Sequence, residues 1–439
     1  MNRIGINFDQ TILDISSQTN VIYNTEILKE QVSSNFQKFN RCQSIAYQEI
    51  LQTVNLNNDK KKSNLFFIDG PGGTGKTFIY NTLLAEVRSR KESAIALAST
   101  GVAALLLDNG HTAHSVFKIP LKCHESSMCN IKANTLSAKI IRETKLFIWD
   151  EAPIMSKYVF ETVDRTFREI MKSVSPELEK IPFGGKIIVF GGDFRQFLPI
   201  VPHGNQYAIV SQCLNRSYLW KNIKKLKLTE NMRLKQSDDI HNPEQLKFAE
   251  YILRVGEGLE PVIEELGSNV IQLPDDICLK KFDTKHLIEE IYDNIQTRYK
   301  EKNYLLDRAI LCTKNKIVDS INEEILQILP GDAKTYFSIN ESLNENNRNL
   351  YPIEFLNSYK TNGLPTWKTV CFEVPSHELN LKMNCIVILL RNLNQKEGHC
   401  NGTRLLIKNC KRYVIEAEII SGSNIRKKSI FVTYYINAK

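Results

Sequence analysis

The residues with the clearest chemistry in the sequence are consecutive: Gly70, Pro71, Gly72, Gly73, Thr74, Gly75, Lys76 and Thr77 fit the pattern GxxxxGK[ST]. Glycines let a loop wrap phosphates with its backbone N–H groups, and a helix that follows presents its N-terminus to their negative charge. In such a loop the lysine ammonium reaches the β- and γ-phosphates, and the threonine hydroxyl holds magnesium. The apolar run LFFID comes directly before the loop, and the helical stretch FIYNTLLAEVRSR directly after it. A strand, a turn and a helix in that order make ATP and Mg2+ the expected ligands. The opposing reading is a glycine-rich turn with no ligand.

Two further clusters follow at the ends of apolar runs. KLFIWDE closes on Asp150 and Glu151. At the carboxyl edge of a parallel sheet, Asp150 would hold the magnesium shell and Glu151 would orient or deprotonate the attacking water. KIIVFGGDFRQFLPIVP places Asp193, Arg195 and Gln196 just beyond another strand. A neutral amide can touch a γ-phosphate without competing for the metal, so Gln196 is the candidate sensor of ATP against ADP. Arg233, in LTENMR, could bring positive charge to the transferring phosphoryl group. Singly, a strand-ending acid pair or glutamine is more often a solvated turn; after a phosphate loop the catalytic reading prevails.

The elements that must position these groups are legible as alternation. Apolar runs at 65–68, 94–98, 146–149, 187–190 and 226–229 alternate with helical stretches, which predicts a parallel sheet covered on both faces. A polar leader fills residues 1–38, and the first helix is expected over about 39–53. After Arg233 a helical stretch spans 243–255, and the run RAILC at 308–312 with the pattern at 314–329 predicts another strand and helix. Residues 339–350 are Asn-rich and predict a loop. The runs CIVILL, TRLLI, YVIEAEII and SIFVTYYI predict a mostly β portion near the end of the sequence.

Composition excludes more than it identifies. With 42% hydrophobic and 24% charged residues over 439 positions, the chain is globular material with room for two or three domains. The 57 basic against 49 acidic residues give a formal charge of +8, which suits a polyanion without naming one. The ten cysteines form no CxxC pair and read as reduced thiols; Cys123, His124 and Cys129 match no common zinc spacing. The first residues carry neither signal-peptide nor transit-peptide character, and no apolar run is long enough to cross a bilayer. An intracellular protein without a membrane partner is expected, with Asn401 unglycosylated.

Taken together, FNRCQSIAYQEIL, FFIDGPGGTGKTFIYNTLL, LASTGVAALLLDNGHTAHSVFKIPL, LFIWDEAPIM, FGGKIIVFGGDFRQFLPIV, LTENMR, AILCTKNKIVDSINEEIL and LRNLNQKEGHCNGTRLLI resemble the Pif-type helicases of superfamily one, especially those of helitron-like transposons. They stand in the family's order and cover roughly residues 39–408. The resemblance implies an α/β P-loop NTPase: a first RecA-like domain at 39–233, then a second, incomplete one at 234–439 with a β-rich portion. It also implies ATP at their interface and 5′-to-3′ translocation on single-stranded DNA. Partners would be single-stranded and tailed duplex DNA, the chain a monomer, and its place the nucleus, in DNA repair, recombination, telomere maintenance or transposon replication. Gln43 falls at the family's adenine-reading glutamine, and Lys76, Thr77, Asp150, Glu151, Gln196 and Arg233 fall where chemistry alone had put them. Thr100, Gly101, His111, His114, Phe117 and Lys118 fall on segments that lie along DNA in the family, where hydroxyls and a ring suit a strand read by stacking. Apart from the resemblance, His111 and His114 read as ordinary loop histidines.

Two departures stand out. The family's TxNKSQGQ-like and VALSR-like stretches are absent from the 34 residues after Leu405, and Asn384 and Ile386 stand where the family usually shows Gly and Pro. The expectation is therefore a C-terminally truncated chain that binds ATP, hydrolyses it poorly and fails to unwind duplex. The alternatives are a relic that binds ATP and single-stranded DNA without hydrolysis, and a P-loop kinase or assembly ATPase unrelated to DNA.

Overall fold

Apolar runs spaced by helices pair side by side in the computed structural model. It describes residues 24–56, 64–201, 204–235, 243–267, 269–279, 283–301, 303–338, 378–390, 393, 397–399, 402–420, 425–432 and 436–438. The chain divides into two compact units, Met1–Glu260 and Pro261–Lys439.

The first unit is built on β1 (Leu65–Asp69), β2 (Ala94–Ala98), β3 (His111–Thr112), β4 (Leu146–Asp150), β5 (Ile187–Gly192) and β6 (Ile223–Lys227). They lie in the order β3-β2-β4-β5-β1-β6, every pair parallel. Successive residues of a strand face opposite sides. Phe147 and Trp149 thus join Phe67, Phe117, Phe160, Phe167 and Phe190 in one core, whereas Leu146 and Ile148 join Phe66, Ile79, Leu83 and Val189 in the other. Burial on both faces is why these strands read as unbroken apolar runs.

Three details depart from expectation. The fifth run was expected at 226–229, but β6 begins three residues earlier and carries exposed Lys224, Lys225 and Lys227. It is an edge strand, half in solvent, so its apolar signal is diluted. The leader contains a helix, Thr25–Gln37, held to the phosphate-loop helix by Asn35 Nδ2 donating to Thr82 Oγ1 at 3.1 Å; residues 1–23 lie outside the described ones. The first unit runs beyond Arg233 through the helix Pro243–Glu257, where Glu257 accepts from Arg195 Nη1 at 3.1 Å.

The second unit has helices Thr284–Ile291, Ile295–Arg298 and Asn315–Ile328 and the strands β7 (Lys334–Ser338), β8 (Glu378–Leu381), β9 (Ile386–Ile388), β10 (Arg404–Cys410), β11 (Val414–Ile419), β12 (Lys428–Val432) and β13 (Ile436–Ala438). These form two antiparallel sheets, β12-β11-β10-β9 and β13-β7-β8. The run 308–312 is not a strand: Leu311 is 93% exposed, and Arg308 lies over the Tyr304 ring at 4.4 Å. The loop expected at 339–350 lies outside the described residues. Asn384 sits at φ 66°, the left-handed region that glycine favours and asparagine tolerates. The turn therefore keeps the backbone shape that a glycine would take.

Candidate nucleotide-binding site

The phosphate loop leaves β1 at Asp69 and enters the helix Lys76–Ser89. Two of its glycines have positive φ, Gly73 at 87° and Gly75 at 81°, and each is also hemmed in. A Cβ on Gly73 would meet Asn231 Oδ1 at 2.5 Å, and one on Gly75 would meet Gln43 Nε2 at 2.5 Å. The loop is closed by its own groups: Thr74 Oγ1 donates to Pro71 O at 2.9 Å, and Lys76 Nζ donates to Gly70 O at 2.7 Å and Pro71 O at 3.4 Å. The ammonium is thus held within the loop, beside its own carbonyls. Thr77 occupies the first helical turn beside it.

Gln43 braces the loop from the neighbouring helix Arg41–Asn55. Its backbone N–H donates to Asn40 Oδ1 at 2.8 Å while its Oε1 accepts from Asn40 N at 3.0 Å, the reciprocal bonds of a capping box. Its Nε2 donates to Thr74 O at 2.9 Å, and the side chain is buried. The amide thus retains one N–H and one oxygen lone pair for a base.

Asp150 ends β4 and is 4% exposed; its Oδ1 accepts from Glu151 N at 2.9 Å. Glu151 lies in the left-handed region, φ 53° and ψ 38°, a strained conformation for a non-glycine residue. Burial raises the pKa of both carboxyls, and the Lys76 ammonium opposes the rise. Asp150 and Asp193 raise Glu151 further, which makes it a stronger base than a solvated glutamate. Asp193, at the end of β5, is held by Arg195, whose Nε donates to Asp193 Oδ1 at 2.7 Å and whose Nη2 lies 3.7 Å from Asp69 Oδ1. Arg195 is thereby a brace across the sheet edge.

Gln196 is exposed, its Nε2 3.4 Å from where a Gly72 Cβ would stand. Arg233 is also exposed, its Cδ 3.3 Å from the corresponding point at Gly73. The 231–233 turn is strapped to the loop: Met232 N donates to Gly73 O at 2.9 Å, and Asn231 Oδ1 accepts from Arg233 N at 3.1 Å. Asn231 is the positioning residue that sequence reasoning missed. Asn40 was missed as well, although Asn40-x-x-Gln43 is a readable capping signature.

The comparisons bear on what this edge serves. The family model described as PIF1-like helicase matches residues 38–265, and that of the DNA helicase Pif1 2B domain matches residues 354–409. This chain belongs to the PIF1-like helicases. It is 26% identical over 340 residues to the ATP-dependent DNA helicase Pif1 of Psychrobacter sp. (strain PRwf-1), covering 77% of this chain and 43% of that one. With the ATP-dependent DNA helicase PIF1 of Danio rerio it shares 28% over 357 residues, 80% of this chain and 45% of the other. The chain spans about half the length of these curated relatives. The Pif1 helicase from Bacteroides, solved in complex with ADP-AlF3 and ssDNA, superposes with a TM-score of 0.55 at 19% identity, over 88% of this chain and 73% of that one. Candida albicans Pif1 helicase gives 0.53 at 19%, over 90% and 78%. The fold is accordingly a RecA-like P-loop NTPase with a β-rich C-terminal part.

The residues expected along DNA divide sharply. Thr100 caps the helix Gly101–Leu106, its Oγ1 accepting from Ala103 N at 3.3 Å. Lys118, at φ 48°, ends the helix Ala113–Phe117 and is half-buried. Phe117 corrects the expectation of a stacking ring: it is 0% exposed and packs edge-on against Phe167 at 5.2 Å, in the core that also holds Phe147 and Trp149. His111 is buried at the start of β3 and is likewise no open surface ring. Burial lowers the His114 pKa to about 4, so it is neutral at pH 7 and cannot serve as a cation for phosphate. The Cys123, His124 and Cys129 group forms no metal cluster, and none of three or more such ligands occurs among the described residues.

Proposed function

We propose that the chain is an ATP-dependent DNA helicase that hydrolyses ATP with magnesium and moves 5′-to-3′ along single-stranded DNA, opening tailed duplexes. The observation that carries this reading is convergence: the phosphate loop after β1, Asp150 and Glu151 at the end of β4, and Gln196 after β5 meet at one carboxyl edge, with the Arg233 turn strapped across. The names of the relatives support DNA as the track over a kinase or assembly role, and the phosphate loop with its neighbouring acid pair supports hydrolysis over a relic.

Lys76 would exchange Gly70 O and Pro71 O for the β- and γ-phosphate oxygens, and the loop N–H groups would receive the rest of the negative charge. Gln43 would use its remaining N–H and lone pair on the adenine while still holding Thr74. The donor set suits magnesium, which is bound by one or two carboxylates together with substrate phosphates and water rather than by an all-protein cage; Thr77 and Asp150 are hard oxygen donors of that kind. Magnesium, when bound, neutralises charge on the phosphates. Glu151 would orient and deprotonate the attacking water, Gln196 would report the γ-phosphate, and Arg233 would stabilise charge developing on it.

Thr100, Gly101 and Lys118 remain the candidate contacts to the strand, through backbone, hydroxyl and charge. The chain would act as a monomer on intracellular DNA, nuclear in a eukaryotic cell, in repair, recombination, telomere maintenance or transposon replication. Among the described residues no helix is long and apolar enough to cross a membrane. ATP turnover by the 439-residue chain with and without single-stranded DNA tests the proposal. Stimulation that weakens steeply with salt is expected, because phosphate contacts dominate such binding; turnover indifferent to DNA would point to a different P-loop ATPase.

A further inference from the structure

The Tyr80 hydroxyl is fully buried and, among the described residues, has no hydrogen-bond partner. Tyr80 stands on the phosphate-loop helix three residues after Thr77 and four after Lys76, a spacing that puts it on the same side of the helix as both. It arrives at Gly191 in β5. A Cβ on Gly191 would lie 1.6 Å from Tyr80 Oη and 3.4 Å from Asp150 Oδ1, so the hydroxyl fills the place of a side chain missing beside the carboxylate.

A buried hydroxyl without a partner destabilises a fold, and phenylalanine would fill the same space without it. An orphan of this kind at the edge of a charged site invites a partner that a ligand, an ion or a rearranged neighbour supplies. Asp150 is the carboxylate whose charge acts most on Tyr80, it borders the same Gly191 position, and its Oδ1 has the Glu151 N–H as donor. Burial and the charges of Asp150 and Glu151 keep Tyr80 protonated, and so a donor, at neutral pH.

We infer that Tyr80 is a positioning residue of the cation site: when a divalent cation and nucleotide draw Asp150 into the metal shell, the Tyr80 hydroxyl donates to that carboxylate and fixes its orientation. The inference rests on the reading of Asp150 as the metal-shell carboxylate. No proton is transferred; one hydrogen bond forms in the loaded state that is absent in the empty one.

Tyr80→Phe in the full chain tests it. The probe is a fluorescent ATP analogue, with Mg2+ titrated at a fixed analogue concentration, beside thermal melting without metal or nucleotide. The expected result is a Mg2+ midpoint raised about ten-fold, the loss of roughly one hydrogen bond to a charged group, with the metal-free melting temperature unchanged or higher. A merely structural tyrosine would lower the metal-free melting temperature and leave the midpoint where it was, which overturns the inference. Equal midpoints in both proteins overturn it too while leaving the nucleotide site standing. A wild-type chain that shows no magnesium-dependent binding overturns both.

Discussion

The two units use β-structure in opposite ways. In the first, β2, β4 and β5 are buried at every position, and each ends at the same carboxyl edge. In the second, β11 alternates half-buried and buried residues, and its neighbours run antiparallel. A parallel sheet sandwiched between two cores collects all its strand ends on one side, which is where charged groups can converge without entering either core. An antiparallel sheet sends consecutive strand ends to opposite sides and gathers no such edge. The chemistry of this chain is concentrated accordingly in the first unit.

The largest expected effect that sharpens this contrast is on packing. Trp149 is fully buried, lies 4.8 Å from the Phe160 ring centre and donates through Nε1 to Ser99 Oγ at 3.2 Å. Trp149→Ala should cost about 3–5 kcal/mol. Val414→Ala on the half-buried face of β11 should cost about 1 kcal/mol or less. Denaturant melts of the two variants check the difference, and equal losses would remove the distinction between the sheets.

A second contrast is in pH. His114 carries a pKa lowered from 6.5 to about 4 by burial, so the unfolded chain binds the extra proton between those values. Its contribution is fully present above pH 6.5 and is lost as pH falls toward 4, by roughly 3 kcal/mol. His399 of the second unit, bonded to Ser429, is lowered in the same direction by burial but opposed by the Glu397 charge. Melting across pH 4–7 should therefore flatten more in His114→Gln than in His399→Gln; the reverse order would break the comparison.

How much of this was legible follows the same division. The strands buried on both faces were readable as apolar runs at nearly their true bounds, and the phosphate loop and acid pair were readable because their chemistry fixes type and spacing. β6 was misplaced because an edge strand shares its signal with solvent. Phe117 was misassigned because a ring near polar neighbours in sequence can still turn inward. Asn231 was invisible because it acts from a turn far along the chain, through its contact with Gly73. Tyr80 lay in plain view on the Lys76 face, but only the bare Cα of Gly191 reveals what it approaches. In the second unit the alternating β11 pattern was readable as strand, whereas the run 308–312 had the composition of a strand without a described partner to make it one.

The smallest expected effect concerns the brace on the loop. Asn40→Ala removes one half of the Gln43 capping box and should cost about 1 kcal/mol of first-unit stability. Because Gln43 also holds Thr74 O, it should weaken nucleotide binding modestly as well. Melting and titration together check it, and an unchanged affinity would separate the cap from the loop.

The central claim is that the sheet edge around Lys76 is a nucleotide site. Titration of the full chain and of Lys76→Ala with a fluorescent ATP analogue in magnesium tests it most directly. The account predicts saturable binding by the wild type and an affinity lower on the order of 100-fold or more in the variant, the effect of removing one preorganised charge from the phosphates. Equal affinities in the two proteins would contradict it.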